Sequence, residues 1–184
     1  WRKNIEDRVT ELLKEKCSSK LLWLIQIGIN HEQQHQELLL TDIHHLFSNN
    51  SLFPAYVSQS THGSSTNEPF QWLKGVSGLV DIGYEGDGFH FDNEAPKHSA
   101  LNQIHSIGNR LVSNAEWLQF MEDDGYQNFQ WWLDEGWSWL QAGKISTPLY
   151  WSKNDQNHHH RFSLHGKSLL DMHAPVSNIS YFEA

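Results

Sequence analysis

From Ile5 onward, the apolar residues Ile5, Val9, Leu12 and Leu13 recur at the spacing of one helical face. This predicts an amphipathic helix that ends near the Cys17, Ser18, Ser19 break. A second helix is predicted from about Lys20 to Phe47, with Ser19 as its cap and Asn49 and Asn50 beyond its end. Through Ile29 this helix is apolar nearly all round, a pattern that belongs inside a bundle. Two helices cannot enclose it, so bundle partners are expected from upstream sequence or from another chain. Residues 58–69 (SQSTHGSSTNEP) are rich in Ser, Thr and Gly and read as a linker or exposed loop at a domain boundary.

Beyond that segment the period shortens. Phe70 to Leu73, Leu79 to Ile82, Gly88 to Phe91 and Leu101 to Ile107 are short β-type runs separated by Gly, Asp and Asn. A helix follows over Ser113 to Asp124, opened by a capping box of Ser113 and Glu116 and closed by Gly125. Another is predicted over Trp132 to Ala142, before Gly143. Pro148 to Trp151 and Arg161 to Leu164 read as further strands, with His158 to His160 in a polar hairpin loop between them. The expected class is α+β, helical first and then mixed.

Composition narrows the partners. The 184 residues carry 13 Lys plus Arg against 22 Asp plus Glu, a formal charge of −9, and no basic run is present to neutralise phosphates, so nucleic acid is not an expected partner. No apolar stretch approaches the roughly 20 residues of a membrane span. The single cysteine, Cys17, cannot form an internal disulfide, which points to a reducing, cytoplasmic setting. The chain opens on Trp1 with neither Met nor a signal-peptide pattern. Ser180 and Glu183 have capping-box spacing but are followed only by Ala184, so the sequence reads as a piece of something longer.

The chemistry-bearing segment is NHEQQHQELLLTDIHH in the second helix. His31 and His35 are four residues apart, which puts them on one helical face with Cβ atoms roughly 5–6 Å from each other, close enough for one ion. Imidazoles suit iron, zinc, copper or nickel, and a stable site takes at least three protein groups, so a further ligand is expected elsewhere. The plainer alternative is two hydrogen-bonded or surface residues among thirteen histidines. HEQQH also fits the zinc-hydrolase pattern of His31, Glu32 and His35, with Glu32 activating a metal-bound water, although Leu38 and Thr41 stand where that pattern's glycine and third histidine are extended; Glu68 is a candidate third ligand there. His44 and His45 lie nine and ten residues past His35, about 13–15 Å along a helix at ~1.5 Å per residue, and are expected at the surface. Trp131, Trp132, Trp137 and Trp139 are expected to build core. Asp92, Asn93 and Glu94 are assigned to a turn.

The run HEQQHQELLLTDI (His31 to Ile43) resembles the signature of the ergothioneine-biosynthesis sulfoxide synthases. FDNEAPKH (Phe91 to His98), SNAEWLQF (Ser113 to Phe120), WWLDEGW (Trp131 to Trp137) and PVSNISYFEA (Pro175 to Ala184) resemble the second domain of the same family, in the same order. The resemblance implies a partial DinB-like helical bundle over residues 1–57, a linker or loop over 58–69, and the N-terminal part of a formylglycine-generating-enzyme-like, C-type-lectin-like domain over 70–184. It implies iron(II) as cofactor and O2 as co-substrate, with trimethylhistidine and a cysteine-type thiol, cysteine or γ-glutamylcysteine, as small-molecule substrates joined through a C–S bond. His31 and His35 map onto two of the family's three iron ligands, and Gln34 onto a residue that touches the imidazole of the histidine-derived substrate. The third ligand would precede Trp1 and the family's catalytic tyrosine would follow Ala184, so no such role passes to Tyr126, Tyr150 or Tyr181. A noncatalytic binding module is the remaining alternative.

Overall fold

A computed structural model describes residues 1–58 and 68–184; the expected linker therefore lies mostly outside the described residues. Among the described residues, four α-helices and seven short strands make the α+β class plain. The described residues form two compact units: Trp1–Thr41 with Leu79–Leu101, and Asp42–Gly78 with Asn102–Ala184.

In the first unit, α1 (Arg2–Lys14) precedes α2 (Ser19–Ser48), whose residues from Asp42 onward belong to the second unit. The Ser18 hydroxyl, rather than that of Ser19, accepts from Leu21 N–H at 3.3 Å at the start of α2. No residue of α2 is buried: Trp23, Ile29 and Leu39 remain 52%, 56% and 60% exposed, so its apolar circumference has no cover among the described residues. Strands β2 (Gly78–Ile82) and β3 (His98–Asn102) pair in a two-stranded sheet. The run Gly88 to Phe91, expected as a strand, is not one. Its donors are taken locally: Gly88 N–H donates to the Tyr84 hydroxyl and Phe91 N–H to the Glu94 carboxylate, both at 2.7 Å, which leaves no ladder to form. Asp92–Glu94 make the expected turn, as a short 3-10 helix.

The second unit holds the core. Strand β1 (Trp72–Lys74) pairs antiparallel with β4 (Ser106–Gly108). The single run read over Leu101 to Ile107 is divided between β3 and β4, because Asn102 turns its side-chain amide onto the Val76 carbonyl at 2.7 Å. Helix α3 (Asn114–Glu122) opens with both halves of the predicted capping box: Ser113 Oγ accepts from Glu116 N–H at 3.3 Å, and Glu116 Oε2 accepts from Ser113 N–H at 2.8 Å. Asp124, at φ +59, rather than Gly125, takes the left-handed position after it. Helix α4 (Asp134–Gly143) starts two residues later than predicted because a 3-10 turn occupies Phe129–Trp131, and Lys144 rather than Gly143 takes the left-handed position at its end.

Strands β5 (Trp151–Lys153), β6 (His159–Ser163) and β7 (Gly166–Leu169) form an antiparallel sheet with β6 in the centre. Pro148 to Trp151 is a turn, not a strand, since Trp151 N–H closes back on the Pro148 carbonyl at 3.2 Å; β5 begins only at Trp151. His159 and His160 belong to β6, so the loop is Asn154–His158, organised by Asn154 Oδ1, which accepts from Gln156 and His158 N–H. The core joins Trp117, Leu118, Trp151 and Leu170, with Phe120, Met121, Val176 and Ile179 packed against it. Asn114, 1% exposed, ties α3 to the chain's later segment by donating from Nδ2 to the Asp171 carbonyl at 2.7 Å. Among the expected core tryptophans, Trp132, Trp137 and Trp139 are partly buried, whereas Trp131 is 67% exposed because its turn faces outward. No helix among the described residues is long and apolar enough to cross a membrane.

Candidate metal centre

An unbroken helix through residues 19–48 fixes the backbones of His31 and His35 one turn apart. Their rings stand edge to face at an interplanar angle of 84°, with centroids 4.6 Å apart. Both are exposed, as are Glu32 and Gln34. The donor set fits part of a metal site: two imidazoles on one helical face, with ring centroids 4.6 Å apart, are of a type that suits iron, zinc, copper or nickel. It does not fit a whole site, for among the described residues no group of three His, Cys, Asp or Glu is placed to hold an ion. Glu68 is engaged through its backbone, its carbonyl accepting from Arg110 Nε at 2.8 Å. Gln34 occupies the helical position just before His35, about 100° round the axis from it.

The other histidine pair on α2 behaves differently from expectation. His44 is half-buried, not on the surface: its Nε2 donates to the Phe162 carbonyl at 3.1 Å, and its ring lies 4.3 Å from that of Tyr150. His45 pairs through Nδ1 with the Tyr150 hydroxyl at 3.1 Å. Nothing local in the sequence marks Tyr150 as their partner, since 105 residues separate it from His45. The one available signal was a doubled histidine at the end of a helix, where polar side chains find acceptors on whatever the helix end packs against.

Electrostatic tuning in the second unit concentrates at the base of α3. Arg110 grips Glu116 through both terminal nitrogens, at 2.8 and 2.9 Å. That pairing, followed by the Ser113 N–H, holds the Glu116 carboxyl down at about 2. His159 is pushed down, by burial and then by the charge of Lys153.

No family model matches the chain. Three known proteins are similar to it over 85% of its length. The hercynine oxygenase of Mycolicibacterium thermoresistibile is 30% identical over 166 residues, that of Mycobacterium tuberculosis 29% over 161, and that of Mycolicibacterium smegmatis 30% over 162. The chain spans only 34–36% of the length of these relatives. The similarity thus associates the chain with oxygenases named for hercynine, and it covers about a third of such an enzyme.

Proposed function

We propose that this chain is the metal-ligand-bearing part of an iron(II)- and O2-dependent sulfoxide synthase that joins hercynine, the trimethylated histidine, to a cysteine-type thiol. The observation that carries the reading is the His31 and His35 pair on one face of α2, within a chain similar over 85% of its length to hercynine oxygenases. Their names supply the oxygenase and hercynine. The thiol, cysteine or γ-glutamylcysteine, and the C–S bond rest on the motif resemblance from His31 to Ile43.

In this reading His31 and His35 hold two positions on iron(II), with a third ligand outside the described residues. Iron supplies, when bound, redox reactivity toward O2 and open positions for substrate. The chain's own contribution is placement. A helical backbone keeps the two rings on one face, so neither leaves the shared volume without a χ change in an otherwise fixed frame. Gln34, with an amide that both donates and accepts, is suited to the imidazole edge of hercynine. The division into bundle residues 1–57 and a formylglycine-generating-enzyme-like domain from residue 70 belongs to the same reading.

The test is oxygen consumption by the full-length protein with iron(II), hercynine and either thiol. Consumption that requires all three, and that is abolished in His31→Ala and His35→Ala, supports the assignment. Undiminished turnover in both variants contradicts it. Gln34→Leu is expected to weaken hercynine binding by about tenfold, the cost of one lost polar contact to a substrate group.

A further inference from the structure

We propose that a cavity in the second unit is a binding site for a small organic anion, a carboxylate or phosphate carried on an apolar body. This goes beyond the oxygenase reading and does not rest on it. The cavity has a volume of about 890 Å³ and is lined by α3, α4, the turn after α4, and strands β5 and β6. Its size falls in the roughly 300–1,000 Å³ range of small-molecule sites. All of its lining comes from residues 118–159, so one compact unit builds it.

Charge selects the class of ligand. The whole chain carries 22 Asp plus Glu against 13 Lys plus Arg, yet the lining reverses that balance, with Lys144 and Lys153 against Glu122. Among the described residues neither ammonium makes an ion pair or a side-chain hydrogen bond. The Lys153 charge is felt at the cavity wall: after burial, it is what holds His159 below its ordinary pKa. Ser146, Thr147 and Ser152 add hydroxyls to the lining, and a hydroxyl donates readily to an oxyanion. Trp137 and Ile145 give the body of such a ligand an apolar surface.

The backbone of Lys144 is an independent sign. It sits at φ +51 at the end of α4, where Ile145 N–H donates to the Leu140 carbonyl at 3.0 Å. That left-handed position ordinarily takes glycine, because a Cβ there crowds the following carbonyl. Gly143 stands one residue earlier and does not fill it. The chain thus keeps a long cationic side chain where the backbone disfavours it, and that side chain lines the cavity. Strain of this kind collects at ligand sites.

Calorimetric titration of the iron-free full-length protein with phenylacetate and with phenyl phosphate tests this. At least one of the two is expected to bind saturably, and Lys144→Gly and Lys153→Gln are each expected to weaken it about 10- to 100-fold, the range for one lost charged contact. Tighter binding of phenyl phosphate supports a phosphate as the anion, and tighter binding of phenylacetate a carboxylate. Glu122→Gln, which removes the opposing charge, is expected to tighten binding about 2- to 5-fold. Lys144→Gly relieves the left-handed backbone and is expected to melt no lower than the parent, so its loss of binding is not a loss of fold. No saturable binding of either probe up to about 10 mM, or binding that both lysine variants leave unchanged, overturns the proposal.

Discussion

The Tyr126 hydroxyl donates to Glu183 Oε1 at 2.5 Å while accepting the indole N–H of Trp117 at 3.3 Å, so one buried phenol joins the α3 core to residues 180–183. Burial first, and then the Glu183 carboxylate, pushes the phenol's pKa up, which keeps it a neutral donor. Glu183 in turn accepts from Ser180 N–H at 2.7 Å. Tyr126→Phe removes the middle of this chain and leaves the Trp117 N–H unpaired in a buried place. Urea denaturation is expected to show a loss of about 1–3 kcal/mol, the cost of stranding a buried polar group. A change within experimental error would mean that water replaces the hydroxyl.

Glu116 gives the second unit an acid-sensitive element. Its folded pKa, about 2, lies below its ordinary value of 4.5. The folded state therefore favours the carboxylate, and the contribution is complete above the ordinary value and fades as pH falls from about 4.5 toward 2. The Glu116 side chain is 39% exposed, so solvent screening reduces the effect to about 1 kcal/mol. Melting curves should fall through that window, and Glu116→Gln should flatten this part of the dependence. An identical acid dependence in the variant would place the effect on other carboxylates.

Glu32 separates two chemistries of the same motif. In the iron reading it has no required catalytic role, and Glu32→Gln is expected to keep turnover within about twofold, as surface substitutions away from reacting atoms do. In a zinc hydrolase it is the base, and its loss costs about 100-fold or more. Steady-state rates of the variant decide between them.

What the sequence made readable was local. The α3 start follows from Ser113 and Glu116 alone, because a capping box is closed by residues three apart. The His31 and His35 spacing follows from helical periodicity and needs no tertiary information. Strand β7 carries no sequence signal because GKSL has little to bury, and its pairing with β6 is set by a tight turn at Leu164 and His165 that ends on Gly166 at φ +84. The false strand at Gly88 to Phe91 has the right composition, but Tyr84 and Glu94 capture its backbone donors. The burial of His44 and the pairing of His45 are not legible locally, because their partners Phe162 and Tyr150 come from more than a hundred residues away. Periodicity reports which face is apolar, and it is silent on what that face meets.

The most direct test of the central claim is metal analysis of the full-length protein purified without oxygen, beside His31→Ala and His35→Ala. The account predicts about one iron per chain in the parent and loss of that iron in both variants, since each imidazole is one of a small ligand set. Zinc in place of iron, or iron retained in both variants, would contradict it.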